Sequence, residues 1–106
     1  MKMHQIDTEY TLLKILKDNP EMTQRQLSKE LGLSLGKTNY VLHALMDKGL
    51  MKLSNFTTSN KKLGYLYLIT PKGIEEKSIL AKNFLERKSA LYSKLKEEIE
   101  TLKNEL

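Results

Sequence analysis

The apolar residues in the first third of the chain recur at three- and four-residue steps, which is the spacing of one helix face. Ile6, Tyr10, Leu13 and Leu16 or Ile15 have this spacing in segment 6–17. The pair Asn19-Pro20 follows, and a residue before proline avoids helical backbone. The pattern predicts a first helix over about 6–17, and Leu27 with Leu31 predicts a short second helix.

Polar residues and glycines mark where the second helix starts and stops. Thr23 and Gln26 have the spacing of a capping box, in which each side chain bonds the backbone amide of the other residue. Gly32 is suited to the left-handed residue that closes a helix, and Ser34 is a good N-cap for the next one. The sequence therefore predicts two helices joined by a turn of about three residues.

The third helix is predicted over about 35–48, ended by Gly49. Its residues divide into two faces. One face, predicted to be buried, carries Thr38, Val41, Leu42 and Leu45. The opposite face carries Gly36, Lys37, Tyr40 and His43.

Two strand-like stretches follow the third helix. Segments 50–56 and 65–70 are rich in apolar and aromatic residues, and the stretch "TTSNKKLG" between them has turn composition. They predict a two-stranded hairpin with an exposed tip. Thr70-Pro71 is then a typical helix start, with threonine as N-cap and proline at the first helical position.

Everything after Pro71 is predicted to be one long helix, because no proline and, after Gly73, no glycine follows. Its apolar stripe consists of Leu80, Phe84, Leu91, Leu95, Ile99, Leu102 and Leu106. We expect a second copy of the chain to cover this stripe in a two-fold dimer. The alternative is a tail that folds back on its own domain. The predicted organisation is a first domain over 1–73 and a dimerisation helix over 74–106.

Composition restricts the function. The chain has 106 residues, no cysteine and two histidines, so we expect one compact domain with neither metal nor other cofactor. No apolar run nears the roughly 18 residues of a membrane span, and we expect a cytoplasmic protein. Catalysis is not expected, since no nucleophile, base and orienting acid are grouped.

The distribution of charge is more informative than its total of +5. All five charged residues from 48 to 72 are lysines, so this stretch carries the whole net charge and the remainder sums to zero. A local basic segment in a neutral chain indicates contact with a polyanion. The alternative is a solvated, lysine-rich loop.

The stretch "GLSLGKT" at 32–38 ends like a nucleotide phosphate-binding loop. That motif has four residues between its glycines and follows a strand, whereas three residues and a preceding helix are found here. Gly36 and Lys37 are instead predicted in the first turn of an exposed helix. A glycine there either permits close approach of a partner to the backbone or is a tolerated surface glycine.

Three helices, a tight turn and a basic hairpin make a mainly α fold with a small β-hairpin: a winged helix-turn-helix plus a long C-terminal dimerisation helix. A DNA major groove about 12 Å wide admits one helix, whose first turns reach the base edges. Each candidate residue singly also has a simpler interpretation: Lys37 as a solvated lysine, Tyr40 as a half-buried packing residue and His43 as a surface polar residue. The residues predicted to contact DNA are Arg25, Ser34, Gly36, Lys37, Asn39, Tyr40, His43, Asn60, Lys61 and Lys62.

The stretches "TQRQLSKELGLSLGKTNYVLHALMDKGLMKL" and "LGYLYLITPKGIEEK" resemble the MarR-type winged-helix transcription regulators, in particular a short branch associated with exopolysaccharide gene clusters. The resemblance implies a homodimeric bacterial regulator whose recognition helix starts at Ser34 and whose wing tip is 60–63. Larger members have an Asp-Arg pair at the wing tip, where this chain has Asn60-Lys61-Lys62. Lysine lacks the rigid fork of arginine, so a fixed minor-groove contact is less well supported.

Two functional hypotheses follow. The first is a homodimeric, sequence-specific regulator of transcription, a repressor, that binds an inverted repeat in double-stranded DNA. Its recognition helix 35–48 would enter the major groove, and its wing 55–64 would contact the backbone or minor groove. The second is a winged-helix docking module for another protein. The existence of a small-molecule effector stays open. The predicted dimer interface consists of Leu80, Phe84, Leu91, Leu95, Ile99 and Leu102.

Overall fold

The computed structural model describes residues 5–57 and 63–106. Three helices are followed by a hairpin and one long helix, which confirms the predicted mainly α fold with a winged helix-turn-helix. The elements are α1 (Gln5–Asp18), α2 (Gln24–Leu31), α3 (Leu35–Asp47), β1 (Met51–Thr57), β2 (Leu63–Ile69) and α4 (Pro71–Asn104).

The predicted helix ends are confirmed by their hydrogen bonds. The Thr23 hydroxyl accepts from the Gln26 amide at 3.1 Å, and the Gln26 side chain accepts from the Thr23 amide at 2.9 Å. Gly32 closes α2 with φ +67°, a left-handed conformation that glycine adopts without steric penalty. Ser34 then caps α3 by accepting from the Lys37 amide at 3.1 Å. The turn between α2 and α3 is thus held at both ends.

The core lies where α1, α2 and α3 meet. Thr38, Val41, Leu42 and Leu45 are buried on one face of α3, as predicted. They pack with Leu12, Leu13, Leu16, Leu27, Leu50, Met51, Tyr67 and Leu80. Burial of this inner face leaves the opposite face of α3 exposed to solvent.

The hairpin is antiparallel, with Met51 opposite Ile69 and Leu53 opposite Tyr67. The Tyr67 amide also donates to the Pro20 carbonyl at 3.0 Å, which attaches β2 to the α1–α2 connection. Segment 58–62, which includes the predicted contacts Asn60, Lys61 and Lys62, lies outside the described residues.

The start of α4 is bonded to the end of α3. The Thr70 hydroxyl donates to the Gly49 carbonyl at 2.7 Å and accepts from the Gly73 amide at 3.0 Å. Gly73 is buried against the Leu50 backbone: a Cβ atom there would lie 2.1 Å from the Leu50 carbonyl oxygen. This junction fixes where α4 leaves the domain.

The apolar stripe of α4 has two different environments. Leu80 is 6% exposed and belongs to the hydrophobic core of the chain, and the Phe84 ring lies 5.4 Å from that of Tyr10 in α1. The prediction of Leu80 as a dimer contact is therefore corrected, because Leu80 packs within its own chain. Every residue from 85 to 106 is exposed.

Candidate nucleic-acid interface

The outer face of α3 carries the predicted recognition residues. Gly36, Lys37, Tyr40 and His43 are all exposed on this face. Ser34 begins the helix, and its carbonyl also accepts from the Thr38 hydroxyl at 2.9 Å. The buried Thr38 thereby fixes the first turn against the core and holds the exposed residues of that turn in a defined orientation.

Lys37 and Tyr40 form one local unit. The Lys37 ammonium lies 5.3 Å from the centre of the Tyr40 ring, within the range of a cation–π contact. Tyr40 is 59% exposed, so it is not the half-buried packing residue that was the alternative. The pair presents an aromatic ring and a positive charge on the same surface.

Gly36 has open space around it. A Cβ atom at this position would meet no atom within 4 Å among the described residues. Packing against the described part of the chain therefore gives no reason for glycine at position 36. A larger side chain would project outward from the first turn of α3.

Asn39 connects α3 to the start of α2, which the sequence did not indicate. Its side-chain amide donates to the side-chain oxygen of Gln24 at 3.2 Å. The two residues are 15 positions apart, so no local pattern predicts the bond. Arg25, also predicted to contact DNA, is exposed in the first turn of α2.

Leu35 is a further surface residue that the sequence analysis did not select. It is 45% exposed at the first position of α3. From sequence alone, an apolar residue near a helix start would be predicted to be buried in the core. Its exposure becomes visible only when the direction of the helix is known.

Two lysines of the basic segment 48–72 have contacts within the chain. The Lys48 ammonium lies 2.7 Å from a carboxylate oxygen of the buried Glu9. The Lys72 ammonium donates to the Lys48 carbonyl at 3.2 Å, at the end of α3. Lys52 is exposed, and Lys61 and Lys62 lie outside the described residues.

The far part of α4 forms a second exposed surface. Leu91, Leu95, Ile99 and Leu102 are 54%, 55%, 44% and 61% exposed.

Within residues 5–57 and 63–106, no group of three or more histidine, aspartate or glutamate side chains could hold a metal ion. No helix in the same part of the chain is long and apolar enough to cross a membrane.

Comparison with known proteins identifies the kind of domain. Residues 7–51 match the family described as winged helix-turn-helix DNA-binding. Curated proteins gave no match.

Solved structures of transcriptional regulators share the fold. A PadR-like transcriptional regulator from Bacillus cereus has a TM-score of 0.72 at 20% identity, with 82% of this chain and 89% of that one covered. A MarR transcriptional regulator from Methanosarcina mazei has a TM-score of 0.65 at 22% identity, covering 82% of this chain and 61% of its own. MepR of S. aureus, in complex with DNA, has a TM-score of 0.64 at 20% identity, with 88% of this chain and 63% of the MepR chain covered.

The chain thus spans about three-fifths of the length of the MarR and MepR chains and nearly all of the PadR-like one. Its α4 is the long C-terminal helix of the predicted architecture. The protein therefore has the winged helix-turn-helix fold of these MarR and PadR-like regulators. Its residues 7–51 match the winged helix-turn-helix DNA-binding family.

Proposed function

We propose that the protein is a sequence-specific, double-stranded DNA-binding regulator of transcription. The observation that carries this proposal is the division of α3 into a buried inner face and an exposed outer face that bears Gly36, Lys37, Tyr40 and His43. The family match over 7–51 supports the same function. A helix exposed in this way is shaped to enter a major groove.

Several residues of α3 would contribute to recognition of the DNA sequence. Lys37, Asn39, Tyr40 and His43 would meet base edges, and the exposed Leu35 would contact a thymine methyl group. The amides of the first turn, beside Ser34, would hold a phosphate. Arg25 and the wing 55–64, with Asn60, Lys61 and Lys62, would contact the backbone or minor groove and add affinity more than specificity.

The exposed part of α4 would join two copies. Four large apolar residues are 44–61% exposed at helical spacing there, and water does not accommodate such a stripe well. A two-fold dimer would bind an inverted repeat. Occupying such a site near a promoter would exclude polymerase, which is the role of a repressor.

A docking role for the winged helix is the second candidate. It is favoured by exposed apolar residues on the hairpin, Leu53 at 48%, Tyr65 at 60% and Leu68 at 40%. A protein partner would bury such residues, whereas the DNA backbone would not.

Binding of the full chain to random-sequence duplexes at two salt concentrations separates these functions. We expect affinity to fall by tenfold or more, roughly, between 50 and 200 mM salt because bound lysines release counterions. Selection and sequencing of the bound fraction should enrich an inverted repeat. Lys37→Ala should weaken binding, while the control Lys14→Ala, on exposed α1 surface, should not. Binding without salt dependence or enrichment would favour the docking role.

A further inference from the structure

The exposed part of α4 has an uneven distribution of charge. Residues 88–96, the basic half, contain three lysines and no acid. Residues 97–105, the acidic half, contain four glutamates and one lysine, Lys103. The two halves therefore carry net charges of +3 and −3 on adjacent stretches of one helix.

Both halves are free of the folded domain. Arg87 forms an ion pair with Asp7 of α1, and every residue beyond it is exposed. The Lys88 ammonium lies 5.2 Å from the centre of the Phe84 ring. In the acidic half, Glu100 has a long contact of 3.9 Å with Lys103. The exposed apolar residues Leu91, Leu95, Ile99 and Leu102 run through both halves.

We infer that the partner of this surface is a second copy of α4 in antiparallel orientation, crossing near residues 96 and 97. This inference rests on the proposed homodimer and adds its geometry. The crossing point is the boundary between the halves, so each basic half lies along the acidic half of the partner. The same register places Leu95 opposite Ile99 of the partner subunit and Leu91 opposite Leu102 of the partner subunit.

A parallel pair is disfavoured by the same charges. It would place the basic half beside its own copy and the acidic half beside its own copy, so like charges would face each other along the whole contact. The apolar stripe fits either orientation. The charge distribution therefore selects the direction of pairing, while the stripe provides the attraction.

Spin labels on single cysteines test the orientation, since the natural chain has no cysteine. Asn104→Cys is a neutral, exposed site near the end of α4, and Glu97→Cys is at the proposed crossing. At 1.5 Å per residue, two labels at 104 should be offset by about 20–25 Å along the antiparallel pair, whereas two labels at 97 should have almost no axial offset. Positions 97 and 104 lie on the same side of α4, away from the apolar stripe, so the lateral separation is similar at both sites and the distance at 104 should be the longer. Double electron–electron resonance on the full-length variants measures both distances.

The two distances separate the possible results. A longer distance at 104 than at 97 supports the antiparallel dimer. Equal distances at both sites would show a parallel pair and overturn the inference. Absence of dipolar coupling at both sites would overturn the tail dimer itself, while DNA binding by α3 would still be decided by the salt-dependence experiment.

Discussion

The side-chain nitrogen of Lys48 lies 2.7 Å from a carboxylate oxygen of Glu9, joining the end of α3 to α1. The Glu9 side chain is 5% exposed and that of Lys48 is 53% exposed. Glu9 is thus a buried acid whose charge is balanced by a lysine that reaches in from the surface. Lys48 is one of the lysines of the basic segment 48–72, yet its charge is paired with the Glu9 carboxylate within the chain.

Replacing Lys48 with methionine should lower the free energy of unfolding by about 1–3 kcal/mol, because the Glu9 carboxylate would remain buried without its partner. Urea denaturation measures the change. Lys103→Met is the control: its contact with Glu100 is 3.9 Å long and both side chains are more than 60% exposed, so it should cost less than about 0.5 kcal/mol. Similar losses in both variants would show that water solvates Glu9 adequately.

A methyl group at Gly73 should destabilise the domain strongly. The added Cβ atom would lie 2.1 Å from the Leu50 carbonyl oxygen and 2.7 Å from Cγ2 of Ile69. Backbone atoms cannot move away as a flexible side chain can, so Gly73→Ala should cost about 3 kcal/mol. Thermal unfolding should show a clearly lower midpoint. An unchanged midpoint would mean that the start of α4 packs less closely on Leu50.

Much of the fold follows from local sequence, because helix ends depend on a few adjacent residues. The Thr23–Gln26 capping box, Gly32 and Thr70-Pro71 each specify a boundary through bonds within four residues. The exposed face of α3 was predictable for the same reason, since helical periodicity separates it from the buried Val41 and Leu45.

Contacts between distant segments could not be predicted in this way. Glu9 with Lys48 and Gln24 with Asn39 are pairs 39 and 15 residues apart, and neither has a local signature. Leu80 and Leu91 belong to the same apolar stripe of α4, but Leu80 is buried and Leu91 is exposed. Periodicity shows that a face is apolar and does not show which surface covers it.

Gly36→Ala should separate stability from DNA binding. No described atom lies within 4 Å of the added Cβ, and alanine favours helix, so stability should rise by about 0.5–1 kcal/mol. If DNA approaches the backbone at this turn, affinity should nevertheless fall. Denaturation and fluorescence anisotropy with labelled duplex measure the two effects. Unchanged affinity would identify Gly36 as a tolerated surface glycine.

Two truncations should distinguish the parts of α4. A chain ending at Lys88 keeps Leu80, Phe84 and the Asp7–Arg87 ion pair, so it should stay folded and be monomeric. A chain ending at Thr70 loses Leu80 from the core and should be destabilised by several kcal/mol, roughly. Circular dichroism and analytical ultracentrifugation measure folding and mass. A dimer that persists without residues 89–106 would place the interface elsewhere.

Leu95→Asp should abolish the proposed dimer without unfolding the domain, because Leu95 is 55% exposed in the single chain and a charge at the centre of an apolar contact is poorly solvated. Loss of the second copy should weaken binding to a complete inverted repeat by about a hundredfold or more, since two linked domains bind with avidity. Binding to one half-site should be unchanged. The matched control Leu95→Met conserves an apolar side chain of similar size and should retain both properties. Equal losses on the half-site and the full repeat would instead mean that Leu95 affects the DNA-binding domain itself.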